Sequence, residues 1–583
     1  MAKVFGSDAI AAQLRALDLA FVCINPGASF RGLHDSIVNF LGNTDPRIVL
    51  CLHEEHAVAI AHGYAKVTGR PIGVILHSNV GLMHASMAIF NAWCDRVPVI
   101  LLGATGPVDA AKRRPWIDWI HTSRDQASLI RPFIKWDDQP TSVSSAQEAL
   151  LRAKQIALTA PHGPVFVTLD AELQESPLLE LPAMPDANRY LPAAPSHPVP
   201  DAVAMAATWL SSARNPVMLI GRVHRSQSGW DSRVALAEKL GASVLTDLKQ
   251  GAAFPTDHSL HAAAPGFFLS PEAAETLRDA DVVLSLEWVD LGGTLAQAWG
   301  RDPVTARVIR VSVDQYSHTG WGMEHHALPP SDLYLMCEPQ AMVDALSSAI
   351  EGHRAGRRSG RAAIAAPTAI AAPAAVESGV LDLRVVAQTL RQCVGDEPIS
   401  LLRLPLGWSG DLWHFHHPLD YLGYDGGGGI GSGPGMAVGG ALGLRGSGRL
   451  PVAILGDGDF MMGVTAVWTA ASLKLPLLII VANNRSFFND EIHQEKVARD
   501  RGRPVENRWI GQRISDPDID IARIASAQGA HGIGPIATVE ALQPALEEAL
   551  MRVRSGETVV VDARVIPGYT PAMASGMSRS ASR

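Results

Sequence analysis

The chain has 583 residues, of which 47% are apolar and 18% charged, and its formal net charge is −9. That composition is globular and gives no basic footprint, so nucleic acid is not an expected partner. The length exceeds what one hydrophobic core serves and implies about three domains.

No stretch reaches the roughly 18 apolar residues of a membrane span, so no membrane is expected either. The N-terminus MAKVFGSDAIAAQLRAL lacks the apolar core of a signal peptide. Five cysteines stand at 23, 51, 94, 337 and 393 with no CxxC pair. They read as thiols in a reducing compartment, and the cytoplasm is the expected location.

In chain order, residues 1–185 alternate short apolar runs (FVCIN, IVLCL, PIGVIL, VPVILLG, GPVFVTL) with segments of helical period. Each run suits a buried parallel strand. Within this block, LCLHEEHAVAIAHGYAKVTGRP places Glu54 where an apolar strand gives way to a helix. Read by itself, Glu54 is either an acid favoured at a helix N-terminus or a carboxyl in a dry setting with raised proton affinity. A Pro-rich stretch, LPAMPDANRYLPAAPSHPVPD, reads as a linker.

A central block over 198–350 repeats the alternation with PVMLIG, ASVLT, DVVLSL and ARVIRVSVD. Residues 351–377, rich in Ala, Arg, Gly and Pro, read as a second, partly disordered linker. The third block, 378–566, carries PVAILGDGDF, PLLIIVANN and TVVVDARVI. The tail 567–583 reads as disordered or as a lid over a site. The predicted fold class is α/β, with three doubly wound parallel-sheet domains.

The third block holds the most informative segment, LGDGDFMMGVTAVWTAASLKLPLLIIVANNRSFF. It predicts a strand over 453–455, a helix over 463–474 and a strand over 477–482, one right-handed βαβ unit. Asp457 and Asn484 then emerge at the same carboxyl edge, where open α/β sheets bind ligands. A carboxylate and an amide oxygen suit Mg2+ or Ca2+, not zinc. Gly456 and Gly458 let the backbone approach a diphosphate, and the following helix aims its positive end there. Just upstream, GYDGGGGIGSGPGMAVGGALG implies close backbone approach to a ligand.

This spacing, with the second Asn of the Asn-Asn pair 27 residues after Asp457, resembles that of the thiamine diphosphate-dependent enzymes. The resemblance implies a pyrimidine-binding first domain, a central Rossmann-like domain and a diphosphate-binding third domain. It implies metal ligation by Asp457, Asn484 and the Ser486 carbonyl, with Gly456, Gly458 and Asp459 lining the cofactor. Ile430 matches the bulky residue beneath the cofactor. Glu54, nine residues before the Gly-Tyr-Ala at Gly63, matches the acid that activates the cofactor's pyrimidine. The two halves of such a site come from different subunits, so a homodimer or homotetramer is implied.

INPGASFRGL, ILHSNVGLMHASMAIFNAW and IRPFIKW resemble the benzoylformate decarboxylase branch. His77 matches a pocket histidine there, and His258 in FPTDHSLH stands at about the place of a second. Either imidazole is a candidate proton carrier. The sequence departs from that branch at Ala28, where the decarboxylase has Ser; Ser29 follows one step later. Asn489, Asp490, Glu491 and His493 form a polar cluster, read as a solvated helix start or as contacts for a more polar substrate. A 2-oxo acid decarboxylase is the first reading. An acetolactate synthase-type carboligase and a 2-hydroxyacyl-coenzyme A lyase, whose flexible tail would close the site, are the alternatives. The acetolactate synthase resemblance leaves FAD open, although the second block offers no clear flavin fingerprint beyond LIGRVHRS.

Overall fold

Three parallel sheets, each with helices between its strands, carry the chain. A computed structural model describes residues 3–314, 328–350 and 381–569. The expected linker 351–377 and the tail from residue 570 lie outside the described residues.

The first sheet has six strands in the spatial order Arg47–Leu50, Phe21–Ile24, Gly73–Leu76, Ile100–Thr105, Val165–Asp170, Trp136–Asp138. The central sheet runs Ser243–Leu245, Pro216–Ile220, Val282–Leu286, Arg307–Val311, Leu333–Leu335. The third runs Ile399–Arg403, Leu450–Gly456, Leu477–Asn483, Thr558–Arg564, His531–Ile536. All pairings within these sheets are parallel. Every apolar run quoted above forms a strand because helices cover both sheet faces. Leu477–Asn483, for example, is buried along its whole length.

In these three sheets four strands carry no clear sequence signal: Trp136–Asp138, Leu333–Leu335, Ile399–Arg403 and His531–Ile536. Each is a sheet edge with one neighbour only. The helix expected over 463–474 is shorter, Ala466–Ser472, and a separate short helix not expected from the sequence, Asp457–Met462, precedes it. The break falls at Gly463, where a Cβ would come within 2.2 Å of the Gly431 carbonyl oxygen.

The first and third sheets are joined by one close helix crossing. Helix Glu54–Thr68 packs against the glycine-rich helix Gly433–Gly443. A Cβ on Gly63 would lie 2.2 Å from the Met436 carbonyl oxygen, and one on Gly439 2.0 Å from that of Ile60. These backbones touch only because both positions are glycine. The Gly-Tyr-Ala that follows Glu54 is therefore part of the joint holding that helix in place.

Candidate active site

Strands Leu450–Gly456 and Leu477–Asn483 are neighbours, with Gly456 opposite Ala482. Asp457 and Asn484 thus leave the sheet at one edge. Asp457 is 4% exposed. Its Oδ1 accepts from the Gly458 N–H at 3.0 Å and its Oδ2 from the Ser486 N–H at 3.0 Å. Asn484 Oδ1 accepts from that same Ser486 N–H at 2.9 Å. Among the described residues no cationic side chain pairs with Asp457, and burial pushes its carboxyl up to about 6. A buried carboxylate without a counter-charge, beside an amide oxygen, fits a hard divalent cation. A Cβ on Gly456 would meet open space, whereas one on Gly458 would strike the Phe487 ring.

Asp459 turns away from this edge. Its carboxylate accepts from the Gly431 and Gly433 N–H groups at 2.7 and 3.2 Å and lies 3.5 Å from the buried Arg403 guanidinium. It pins the glycine loop on which Ile430 sits half-buried. Several glycines of that loop approach protein rather than open space, against the sequence reading. A Cβ on Gly427 would meet Asn91, and one on Gly429 would meet Met87. The Asn91 amide donates to the Gly429 carbonyl at 3.3 Å and to Ser432 Oγ at 2.9 Å.

Glu54 opens helix Glu54–Thr68, capped by His53, whose Nδ1 accepts from the Glu55 N–H at 3.1 Å. Glu54 is 5% exposed and its Oε2 lies 3.1 Å from His84 Nδ1. Glu55 points elsewhere: its Oε1 accepts from Ser432 Oγ at 3.4 Å, and burial raises its carboxyl. The two adjacent acids therefore face different surroundings, as the spacing to Gly63 predicts.

His77 directly precedes helix Ser78–Cys94, and its side chain makes no capping hydrogen bond. Its Nδ1 is 2.7 Å from Ser29 Oγ and its ring meets His121 edge-on at 4.8 Å. Burial lowers its pKa first, with His121 adding to the effect. A Cβ on Gly27 would fall 2.1 Å from His77 Cγ, so the glycine of Asn-Pro-Gly makes room for the imidazole. Ser29 thus reaches the pocket histidine although Ala28 fills the position directly after Gly27.

His258 does not join this group. Its Nε2 is 3.2 Å from Glu238, its Nδ1 accepts from the Leu260 N–H at 3.2 Å, and its ring rests edge-on against Phe254. All three partners lie in the central block, and the FPTDHSLH histidine caps its own turn, so within one chain His258 stands apart from His77 and Ser29. In the polar cluster, Glu491 is buried, accepts from Ser486 Oγ and sits near Arg508 and Arg513. It braces the loop behind Asn484. His84 and His121 beside Glu54 and His77 carried no motif; only their placement on the helix and loop facing those residues reveals them.

Residues 5–129, 203–319 and 406–563 match the family models for the N-terminal TPP binding domain, the central domain and the C-terminal TPP binding domain of thiamine pyrophosphate enzymes. The chain belongs to the thiamine pyrophosphate enzyme family. Benzoylformate decarboxylase of Pseudomonas aeruginosa is 25% identical over 528 residues, 87% of this chain and 90% of that protein. The acetolactate synthase large subunit of Corynebacterium glutamicum is 28% identical over 289 residues, 49% of this chain and 44% of that protein. Among solved structures, a thiamin diphosphate-dependent enzyme of Mycobacterium smegmatis superposes with a TM-score of 0.79 at 23% identity, covering 97% of this chain and all of that one. Benzoylformate decarboxylase of Polynucleobacter necessarius gives 0.77 at 22%, covering 97% and 99%. Both share the three-sheet fold of this thiamine pyrophosphate enzyme.

This member also has a cleft of about 390 Å3 at the carboxyl ends of its central strands. Gly221, Arg222 and Arg225 of LIGRVHRS line it together with Lys66, Gln250 and Glu287. No helix among the described residues is long and apolar enough to cross a membrane.

Proposed function

We propose that this enzyme is a thiamine diphosphate- and Mg2+-dependent decarboxylase of 2-oxo acids, assembled as a homodimer or a higher homo-oligomer. The observation that carries the reading is the Ser29–His77 pair, a hydroxyl held 2.7 Å from a half-buried imidazole in the same neighbourhood as Glu54. The match to benzoylformate decarboxylase along 90% of that protein supports it.

Thiamine diphosphate, when bound, supplies a nucleophilic carbon and an electron sink for the bond that breaks. Asp457, Asn484 and the Ser486 carbonyl would hold a divalent cation, which would anchor the diphosphate. Gly456 leaves room there, Gly458 and Asp459 shape the adjoining loop, and Ile430 backs the cofactor. Glu54 would hydrogen-bond the cofactor's pyrimidine; its Oε1 carries no hydrogen bond among the described residues. His77, neutral at pH 7 because burial lowers its pKa, gives and takes protons at the reacting carbon. Ser29 orients the substrate carboxylate. Carbon dioxide leaves and one proton is taken up, so the reaction is redox-neutral and calls on no flavin. A flavin would belong in the central cleft, where visible absorbance of the purified protein would reveal it.

Glu54 faces helix Ser78–Cys94 of its own chain, not Asp457. Leu50, Leu52, Met83 and Met462 nearby are exposed, an apolar surface suited to a second copy. Purified protein with cofactor and Mg2+ is incubated with a panel of 2-oxo acids, with and without an acceptor aldehyde. Carbon dioxide and aldehyde in equal amounts is the expected result. Ligation only with a second oxo acid, or cleavage of a 2-hydroxyacyl thioester alone, overturns it.

A further inference from the structure

We infer that Arg403 is a positioning residue that fixes Ile430 beneath the cofactor, acting through Asp425, Asp459 and the glycine loop they hold; this rests on the cofactor site proposed for this enzyme. Residues 426–429 are four consecutive glycines, and Gly426, Gly428 and Gly431 take φ values of 84°, 73° and 102°. Glycine has the weakest backbone preference and gives up the most conformational freedom when it is fixed. It also offers no side chain to pack. The loop that carries Ile430 must therefore be held by its backbone groups.

Two carboxylates hold it. Asp425 Oδ1 accepts from the Gly428 N–H at 2.6 Å. Asp459 Oδ1 accepts from the Gly431 and Gly433 N–H groups at 2.7 and 3.2 Å. Ile430 thus lies between amides anchored on either side of it. A Cβ on Gly433 would fall 2.4 Å from Asp459 Oδ2, so glycine at that position admits the carboxylate.

Arg403 joins the two acids. It ends the edge strand Ile399–Arg403, and one terminal nitrogen, Nη2, donates to Asp425 Oδ2 at 2.7 Å and lies 3.5 Å from Asp459 Oδ2. Two buried carboxylates this close oppose each other's ionisation, and the shared guanidinium keeps both as acceptors for the loop. The Tyr424 ring covers the guanidinium, 3.4 Å from Cζ. Its Nε and Nη1 are buried without a hydrogen-bond partner among the described residues. A buried arginine that leaves two nitrogens unpaired is a poor stabilising group, and its contacts are those of a counter-charge at the base of the loop. It also draws the Asp459 charge away from Asp457, beside which an anionic diphosphate is proposed to sit. Arg403, Asp425 and Asp459 are 1%, 0% and 9% exposed in the single chain, so no second subunit is needed to enclose them.

The test uses the full chain with thiamine diphosphate and Mg2+: wild type, Asp459→Ala, Arg403→Met, Arg403→Lys, Ile430→Ala and the double variant Asp459→Ala/Ile430→Ala. Deuterium exchange at the thiazolium C2 is measured at full cofactor occupancy, and denaturant unfolding is followed in parallel. Asp459→Ala should exchange about 100-fold more slowly than wild type, the usual cost of a misplacement near one ångström. Ile430→Ala should also be slow, and the double variant should be no slower than the slower single one, because the carboxylate then has nothing left to position. Arg403→Met should match Asp459→Ala, and Arg403→Lys, which keeps the charge, should exchange faster than Arg403→Met. If Arg403→Met does not fold, the Asp459 and Ile430 cycle decides by itself. Lost stability with wild-type exchange in Asp459→Ala would leave the triad a purely structural role and overturn the inference. A double variant slowed by the product of the two single effects, or Arg403→Lys no faster than Arg403→Met, would overturn it too. Wild type exchanging no faster than free cofactor would instead sink the proposed function, and this inference with it.

Discussion

Asp457 Oδ2 and Asn484 Oδ1 converge on one backbone N–H, that of Ser486, at 3.0 and 2.9 Å. The two oxygens lie side by side, and among the described residues no cationic side chain pairs with the carboxylate, which supports the proposed divalent-ion site. Asp457→Ala should therefore lose metal-dependent cofactor binding by at least about 100-fold, worth about 3 kcal/mol. Chelation of wild type should have the same effect, and the variant should remain folded. A fluorescence titration showing wild-type affinity in Asp457→Ala would refute the metal site.

His77→Ala should lower kcat by about 10²- to 10⁴-fold, the usual contribution of a positioned proton carrier. Ser29→Ala should act mainly on KM for the oxo acid. The sign of the pH dependence follows from burial, which lowers His77 below its ordinary 6.5. Its neutral form persists as pH falls through 6.5 and is lost only at more acid pH. The acid limb of kcat/KM should lie below 6.5 in wild type and be absent from His77→Ala.

Gly27→Val should push the His77 ring off Ser29, since even a Cβ there falls 2.1 Å from Cγ. Turnover should fall toward that of His77→Ala while circular dichroism stays native. Retained turnover would mean that the ring position does not matter.

Lys66, His62 and Asp95 form a fully buried charge cluster next to the helix crossing, and Lys66 also donates to the Tyr424 carbonyl. Lys66→Met leaves Asp95 underpaired and should cost about 3–5 kcal/mol. Lys66 and His62 together hold the Asp95 carboxyl well below the carboxylate range against the opposing effect of burial. A depressed acid stabilises the fold above its unfolded pKa of about 3.9, and that contribution fades as pH drops below it. Asp95→Asn should flatten the acid side of the stability curve measured by denaturant unfolding.

Glu54 and Asp457 should serve one site from two subunits. Glu54→Gln and Asp457→Ala homo-oligomers should each be nearly inactive, yet co-expressed they should recover a substantial part of wild-type activity through one intact site per hybrid pair. No recovery would place both residues in a site made by one chain.

Most strands, and the shared carboxyl edge of Asp457 and Asn484, were legible because buried parallel strands leave continuous apolar runs and because both residues directly follow two of them. Four of the edge strands were not; Trp136–Asp138 and His531–Ile536, for example, have one strand neighbour and are partly exposed. The glycine run was misread in part because a glycine needed for contact with Asn91 or Met87 looks identical in sequence to one needed for a ligand. The turn that His258 caps was not legible, because a histidine bonded to its own turn looks the same in sequence as one in a pocket. Ser29 was visible only as a displaced serine; the room Gly27 makes for His77 is a three-dimensional fact.

The most direct test is the rate of deuterium exchange at the thiazolium C2 of bound cofactor in wild type and in Glu54→Gln, at equal occupancy. Wild type should exchange far faster than free cofactor, and Glu54→Gln should be slower by at least about 100-fold. Exchange in Glu54→Gln at the wild-type rate would contradict the assignment of Glu54, and with it the account of this site.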